Sequence, residues 1–214
     1  MRLVEQFATV LAKIIGLKEQ KKYKAALEIV DNSLNESLGF ALDWPDSESL
    51  ETFEQQVREG LKTSDEKWKV VSDLLYEKSE LLLLQGFESD AREIAEKLVV
   101  LLFHLIHHKP QASSLDCLTR MENILYFLRQ QRLSSSIYQK ILDHYCQRNQ
   151  FAIAEDWLFE AVELSNNAKD IHEIGLRFYQ GLLKLDDSVL EKGRLPRNEI
   201  LNGLEELQNT EESS

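Results

Sequence analysis

The chain has 214 residues, 43% of them hydrophobic, and a formal net charge of −12. That length can bury a sizeable core in one large helical domain or two small ones. The acidic balance repels a phosphate backbone and argues against a nucleic-acid partner. Eight glycines and three prolines are too few for a fold of many short strands.

Taken in order, the apolar residues recur at helical spacing almost throughout. Leu3, Phe7, Val10, Leu11 and Ile14 mark a first helix over about residues 2–18, with Gly16 near its end. Tyr23, Ala26, Leu27, Val30, Leu34 and Leu38 mark a second, over about 21–38, with Gly39 as its stop. FALDWPD, residues 40–46, reads as a loop, because Pro45 drives Trp44 out of the helical region. Ser47 or Ser49 then caps a short helix with Leu50, Phe53, Val57 and Leu61 inside. Residues 40–62 therefore read as an insertion between two hairpins.

Thr63 with Glu66 three residues on resembles a capping box and opens a long helix to Gln85. Trp68, Val71, Leu75 and Leu82 form its inner side, and Gly86 closes it. Ser89 and Asp90 restart a helix through Ala91, Ile94, Ala95, Leu98, Leu101, Leu102 and Leu105, ended by Pro110. Ser113 begins the next, with Leu118, Met121, Leu125 and Leu128. Residues 134–136 cap another, bearing Ile137, Ile141, Leu142 and Tyr145.

The stretch QFAIAEDWLFEAVELS, residues 150–165, is the clearest helix of all. Phe151, Ala154, Leu158, Ala161 and Leu164 share its stripe, and the alanines allow a neighbour to come close. Asn166 and Asn167 end it. Ile171, Ile174, Phe178, Leu182 and Leu185 form the next stripe, and a short helical turn, DSVLEKG, stops at Gly193. Pro196 suits a helix N1 position, and Ile200, Leu201, Leu204 and Leu207 give a last stripe. We expect that segment to cap the preceding hairpin. The tail from residue 209 is expected to be disordered.

No segment alternates with period two, so the expected fold is all-α. Tyr23, Phe87 and Phe151 are spaced 64 residues apart, and Ala26, Ala91 and Ala154 follow each by three or four positions. This resembles the aromatic-then-alanine half of a tetratricopeptide repeat, although the period is nearly double the usual 34 and the first-helix signature is missing. The resemblance implies a tetratricopeptide-like α-solenoid of antiparallel helical hairpins over residues 1–208. AEDWLFEAVE (154–163), GRLPRNEILNGLEEL (193–207) and KYKAALEIVDNSLNESLG near the start also resemble an uncharacterised bacterial family of helical proteins. That resemblance covers most of the chain and brings no catalytic residue with it.

The first helix carries Glu5 and Lys13 among its apolar residues and is unlike a signal peptide. The oily run from Leu98 to Ile106 is broken by His104 and falls well short of the ~20 residues a membrane crossing needs. Cys117 and Cys146 sit in no CxxC or metal spacing and read as reduced, semi-buried fillers. A cytoplasmic location without membrane contact is expected.

Four clusters invite a chemical reading. His104 and His108 lie one turn apart, with His107 beside them, and two imidazoles at that spacing can face one metal ion. Histidines before a helix end also suit the dipole. Glu155, Asp156, Glu160 and Glu163 flank Trp157, which is either core or an aromatic anchor for a partner. His144 and Cys146 sit on different faces, so a Cys–His pair would need His172 from another helix. Lys18, Lys21, Lys22 and Lys24, then Arg194 and Arg197, are the basic clusters, and the first could grip an acidic peptide. Phosphate-loop, dinucleotide and hydrolase motifs are all missing. We therefore assign no catalytic, cofactor or metal residue and expect a non-enzymatic interaction or scaffold protein. Its partner is a protein or peptide, and a homodimer is compatible. The alternatives are a metal protein or enzyme using His104, His107 and His108, or a sensor of a peptide or small molecule.

Overall fold

The structure is a computed structural model that describes residues 2–38, 49–62, 64–108, 115–165 and 168–211. The expected features at Gly39, the 40–46 loop, Ser47, Thr63, Pro110, Ser113 and Asn166–Asn167 lie outside these residues. Among the described residues there are eleven helices and no strand. The chain divides into two compact units, Met1–Leu128 and Arg129–Ser214.

The first unit holds α1 (Arg2–Glu19), α2 (Tyr23–Leu38), α3 (Leu50–Gly60), α4 (Asp65–Leu84), α5 (Glu88–His108) and α6 (Leu115–Leu128). Its centre is the α4–α5 hairpin. α1 and α2 pack on α4, while α3 and α6 pack on α5. Every residue of α5 from Lys97 to Leu105 is buried, as follows for a helix apolar on all sides. Ser49 caps α3 by accepting from the Thr52 amide at 3.3 Å. The cap of α4 is Ser64, which accepts from the Lys67 amide at 3.3 Å, so the cap falls one residue after the expected Thr63.

The second unit holds α7 (Ser135–Gln147), α8 (Phe151–Leu164), α9 (Lys169–Leu182), α10 (Asp187–Lys192) and α11 (Arg197–Glu211). α7 pairs with α8, α9 packs on both, and α11 packs on α9. That last contact is close: a Cβ added to Gly175 would come 2.7 Å from Leu207 Cδ2. α11 runs to Glu211, past the expected boundary at 208. Leu201, placed on its inner stripe by spacing, is 50% exposed, whereas Ile200 and Leu207 are buried.

One turn design recurs. After α1, α4 and α7 a single residue takes a left-handed conformation: Lys21 (φ 57°), Gly86 (φ 82°) and Asn149 (φ 53°). Each time the next amide bonds back five residues, Lys22 to Leu17, Phe87 to Leu82 and Gln150 to Tyr145, at 2.9–3.0 Å. The left-handed residue's own amide reaches back three, to Lys18, Leu83 and Cys146. This is the Schellman ending of a helix. The carbonyl of the following residue then accepts from Ala26, Ala91 or Ala154, which starts the next helix at once. These alanines stand five residues after the left-handed position, and all three are 0% exposed. The aromatic of the expected pattern varies more: Phe151 is buried and Phe87 is 52% exposed.

Candidate functional site

In the first unit, the last two turns of α5 bring the predicted histidines together. The His104 and His108 rings lie 5.0 Å apart, and Phe103 contacts the His107 ring at 4.8 Å and the His108 ring at 5.7 Å. The partner that defines this corner comes from α3. Glu54 Oε1 is 3.0 Å from His104 Nε2 and accepts from Arg58 at 2.7 Å. Burial holds the His104 imidazole below its usual pKa, against the Glu54 hydrogen bond, and nearby His108 and Arg58 push it the same way. A cavity of about 310 Å³ opens here, lined by Arg58, Leu61, Lys62, His104 and His108. Among the described residues, no group of three His, Cys, Asp or Glu is arranged to hold a metal ion.

In the second unit, α8 turns Trp157 and Leu158 inward, each 2% exposed. Arg129 lies 5.1 Å from the Trp157 ring centre and is also bonded to Glu160 at 2.9 Å. The indole Nε1 has no hydrogen-bond partner among the described residues. Glu155 accepts from the Tyr179 hydroxyl at 2.9 Å. Burial pushes Glu155 up to about 6, and the neighbouring Glu199, Asp156 and Glu206 add to this while the Tyr179 hydrogen bond opposes it. Tyr179 is raised as well, by burial first and then by Glu155. Glu155 and Glu160 are thus engaged by different partners. Cys146 is driven up to about 12 by burial, which keeps it a thiol rather than a nucleophile.

The basic clusters also divide. Lys18 bridges Glu77 and Glu80 of α4, at 2.7 Å each, while Lys21, Lys22 and Lys24 are exposed. Arg197 donates to the carbonyls of Leu183 (2.9 Å) and Leu185 (2.6 Å) and pairs with Asp187. It closes the chain between α9 and α11.

A family profile matches residues 1–212. The chain belongs to DUF6483, a family of unknown function. No curated protein and no solved structure matches it. Membership in an uncharacterised family, expected from AEDWLFEAVE and GRLPRNEILNGLEEL, is therefore shown over nearly the full length. No helix among the described residues is long and apolar enough to cross a membrane.

Two features of this DUF6483 chain have no signal in its sequence. One is Glu54 beside His104, fifty positions away. The other is a groove between α2, α4 and α5, about 380 Å³ in volume. Leu27, Leu82 and Ile94 supply its apolar surface, and Asp31, Lys78, Asp90, Glu93 and Lys97 its charges. Lys78 (7% exposed) and Lys97 (5%) are buried, with Lys78 paired to Asp31 at 3.0 Å. At the α4–α5 turn, beside Leu82, Leu83 (42%), Leu84 (52%) and Phe87 (52%) are exposed together.

Proposed function

We propose that this DUF6483 chain is a non-enzymatic, cytoplasmic interaction module built from tetratricopeptide-like helical hairpins. It holds an apolar peptide or helix of a partner protein. The carrying observation is the apolar turn of Leu83, Leu84 and Phe87 next to the α2–α4–α5 groove. Large side chains clustered in water cost free energy that burial against a partner recovers, at roughly 25 cal/mol per Å². The recurring turn with its buried alanine supports the hairpin reading.

The groove sets the partner's chemistry. Three carboxylates against two ammonium groups leave its charge negative, as is the chain at −12. A segment with two or three apolar anchors flanked by Lys or Arg fits this best. The test is affinity capture with the intact chain and with L84E/F87E, followed by titration of any captured partner as a purified protein. A partner bound by the native chain and lost with L84E/F87E, at unchanged melting temperature, supports the reading. Equal binding by both proteins refutes it.

A further inference from the structure

The cavity at the α5 end carries a second, independent proposal. Four of the five described residues that line it bear nitrogen groups able to donate a hydrogen bond: Arg58, Lys62, His104 and His108. The fifth, Leu61, is buried and supplies an apolar wall together with the imidazole faces. Glu54 is not among the described lining residues, yet its Oε1 engages both His104 Nε2 and Arg58 and holds the two side chains in place. His104 is itself 4% exposed.

A metal ion fits this arrangement badly. The Nε2 of His104 is already turned to Glu54, and the Arg58 and Lys62 side chains would oppose a cation. The same groups favour the opposite sign. The chain's net charge of −12 does not forbid this, because acids beyond about 8 Å are largely screened at physiological salt. At close range Arg58 and Lys62 outnumber the Glu54 carboxylate bonded to Arg58, so the local balance is one positive charge. The cavity volume of about 310 Å³ falls at the small end of ligand pockets, which run from roughly 300 to 1,000 Å³.

We propose that this cavity binds a small organic oxyanion, a carboxylate or phosphate monoester carrying a compact apolar body. The anionic group meets Arg58, Lys62 and His108, and the apolar body lies against Leu61 and the imidazole rings. The site is separate from the α2–α4–α5 groove and does not depend on the partner proposed there.

The test is calorimetric titration of the full chain with phenyl phosphate, benzoate and inorganic phosphate at fixed ionic strength. Lys62→Gln and K62Q/H108Q are the variants, because both side chains are exposed; Lys24→Gln is the control for general charge. We expect saturable one-to-one binding of phenyl phosphate or benzoate. K62Q/H108Q should weaken it about tenfold or more, a loss of roughly 1.4 kcal/mol or above. Lys24→Gln should leave it unchanged, and the melting temperatures of the unliganded proteins should match. The phosphate and benzoate arms separate the two headgroups. Absence of saturable binding for all three probes up to about 10 mM, a range that reaches the weakest specific affinities, overturns the proposal. Binding that K62Q/H108Q leaves intact, or heat that potassium chloride alone reproduces, overturns it equally.

Discussion

Trp157→Ala should be among the most damaging single changes in the second unit. The indole is 2% exposed, so nearly all of its surface is withdrawn from water. A buried aromatic of this size removes about 150–250 Å², which at about 25 cal/mol per Å² gives roughly 4–6 kcal/mol. Compactness of the unfolded chain trims such values by about 10–40%, leaving ~3–5 kcal/mol, the usual cost of a large aromatic truncation. Arg129→Ala should cost less, ~1–2 kcal/mol, since it loses one cation–π contact and one partly exposed ion pair to Glu160. Trp157→Phe should cost least: it keeps most of the ring and removes an N–H without a partner among the described residues.

Urea unfolding followed by circular dichroism gives the three values. Hydrogen exchange over residues 151–164 assigns the loss to α8, which matters because two compact units can unfold separately. The damage should fall in the order Trp157→Ala, then Arg129→Ala, then Trp157→Phe. A Trp157→Ala protein within about 1 kcal/mol of the native chain, below the range for a buried aromatic, would rule out a core role for the indole. Trp157 would then be better understood as a partner anchor.

Further predictions concern the turns, the buried carboxylate and the last helix. Gly86→Ala should destabilise by about 1 kcal/mol and Lys21→Gly should stabilise by a similar or smaller amount, because both positions are left-handed; the same unfolding assay reads both. Glu155 has a folded pKa raised to about 6 from an ordinary 4.5, so its stabilising contribution is complete below 4.5 and is lost as pH rises through 6. Glu155→Gln, always neutral and still able to accept from Tyr179, should therefore be more stable than the native chain above pH 6 and equal to it below 4.5. Thermal melts across that window decide it. Deletion of residues 194–214 removes Leu195, Ile200 and Leu207 from the core and uncovers α9. The melting temperature should fall or the protein aggregate, and an equally stable truncated chain would refute the capping role.

What the sequence makes legible is what is local. Ala26, Ala91 and Ala154 stand out because a small residue at a fixed offset in an apolar stripe is a periodic signal, and all three are fully buried. The turns before them are only partly readable. Gly86 announces a left-handed residue, and Asn149 permits one, but Lys21 adopts the same conformation with no signal in its type. The aromatic half of the pattern misleads at Phe87, because the position just before a helix lies at the rim, where packing is optional. Leu201 is misplaced for a related reason. α11 meets α9 along a narrow seam, with Gly203 against Tyr179 and Leu207 against Gly175, and a helical period alone does not give the seam's width.

The polar contacts follow different rules. Lys78 and Lys97 look like members of solvated faces, yet they are buried because α4 and α5 are covered from several directions. The available hint is the breadth of the apolar surface of α4: Trp68, Val70, Val71, Leu74, Leu75, Leu81 and Leu82 span far more than one stripe, which leaves a lysine few ways to water except along its own stem. Glu54 and His104 present no hint at all, because each belongs to an otherwise ordinary helix and only the packing of α3 on α5 joins them. Two imidazoles one turn apart suggest a cation site, whereas packing adds the cationic Arg58 and Lys62 beside them and sets Glu54 against His104. The sign of a site is set by the residues that converge on it from other helices, and that sum is a property of the fold.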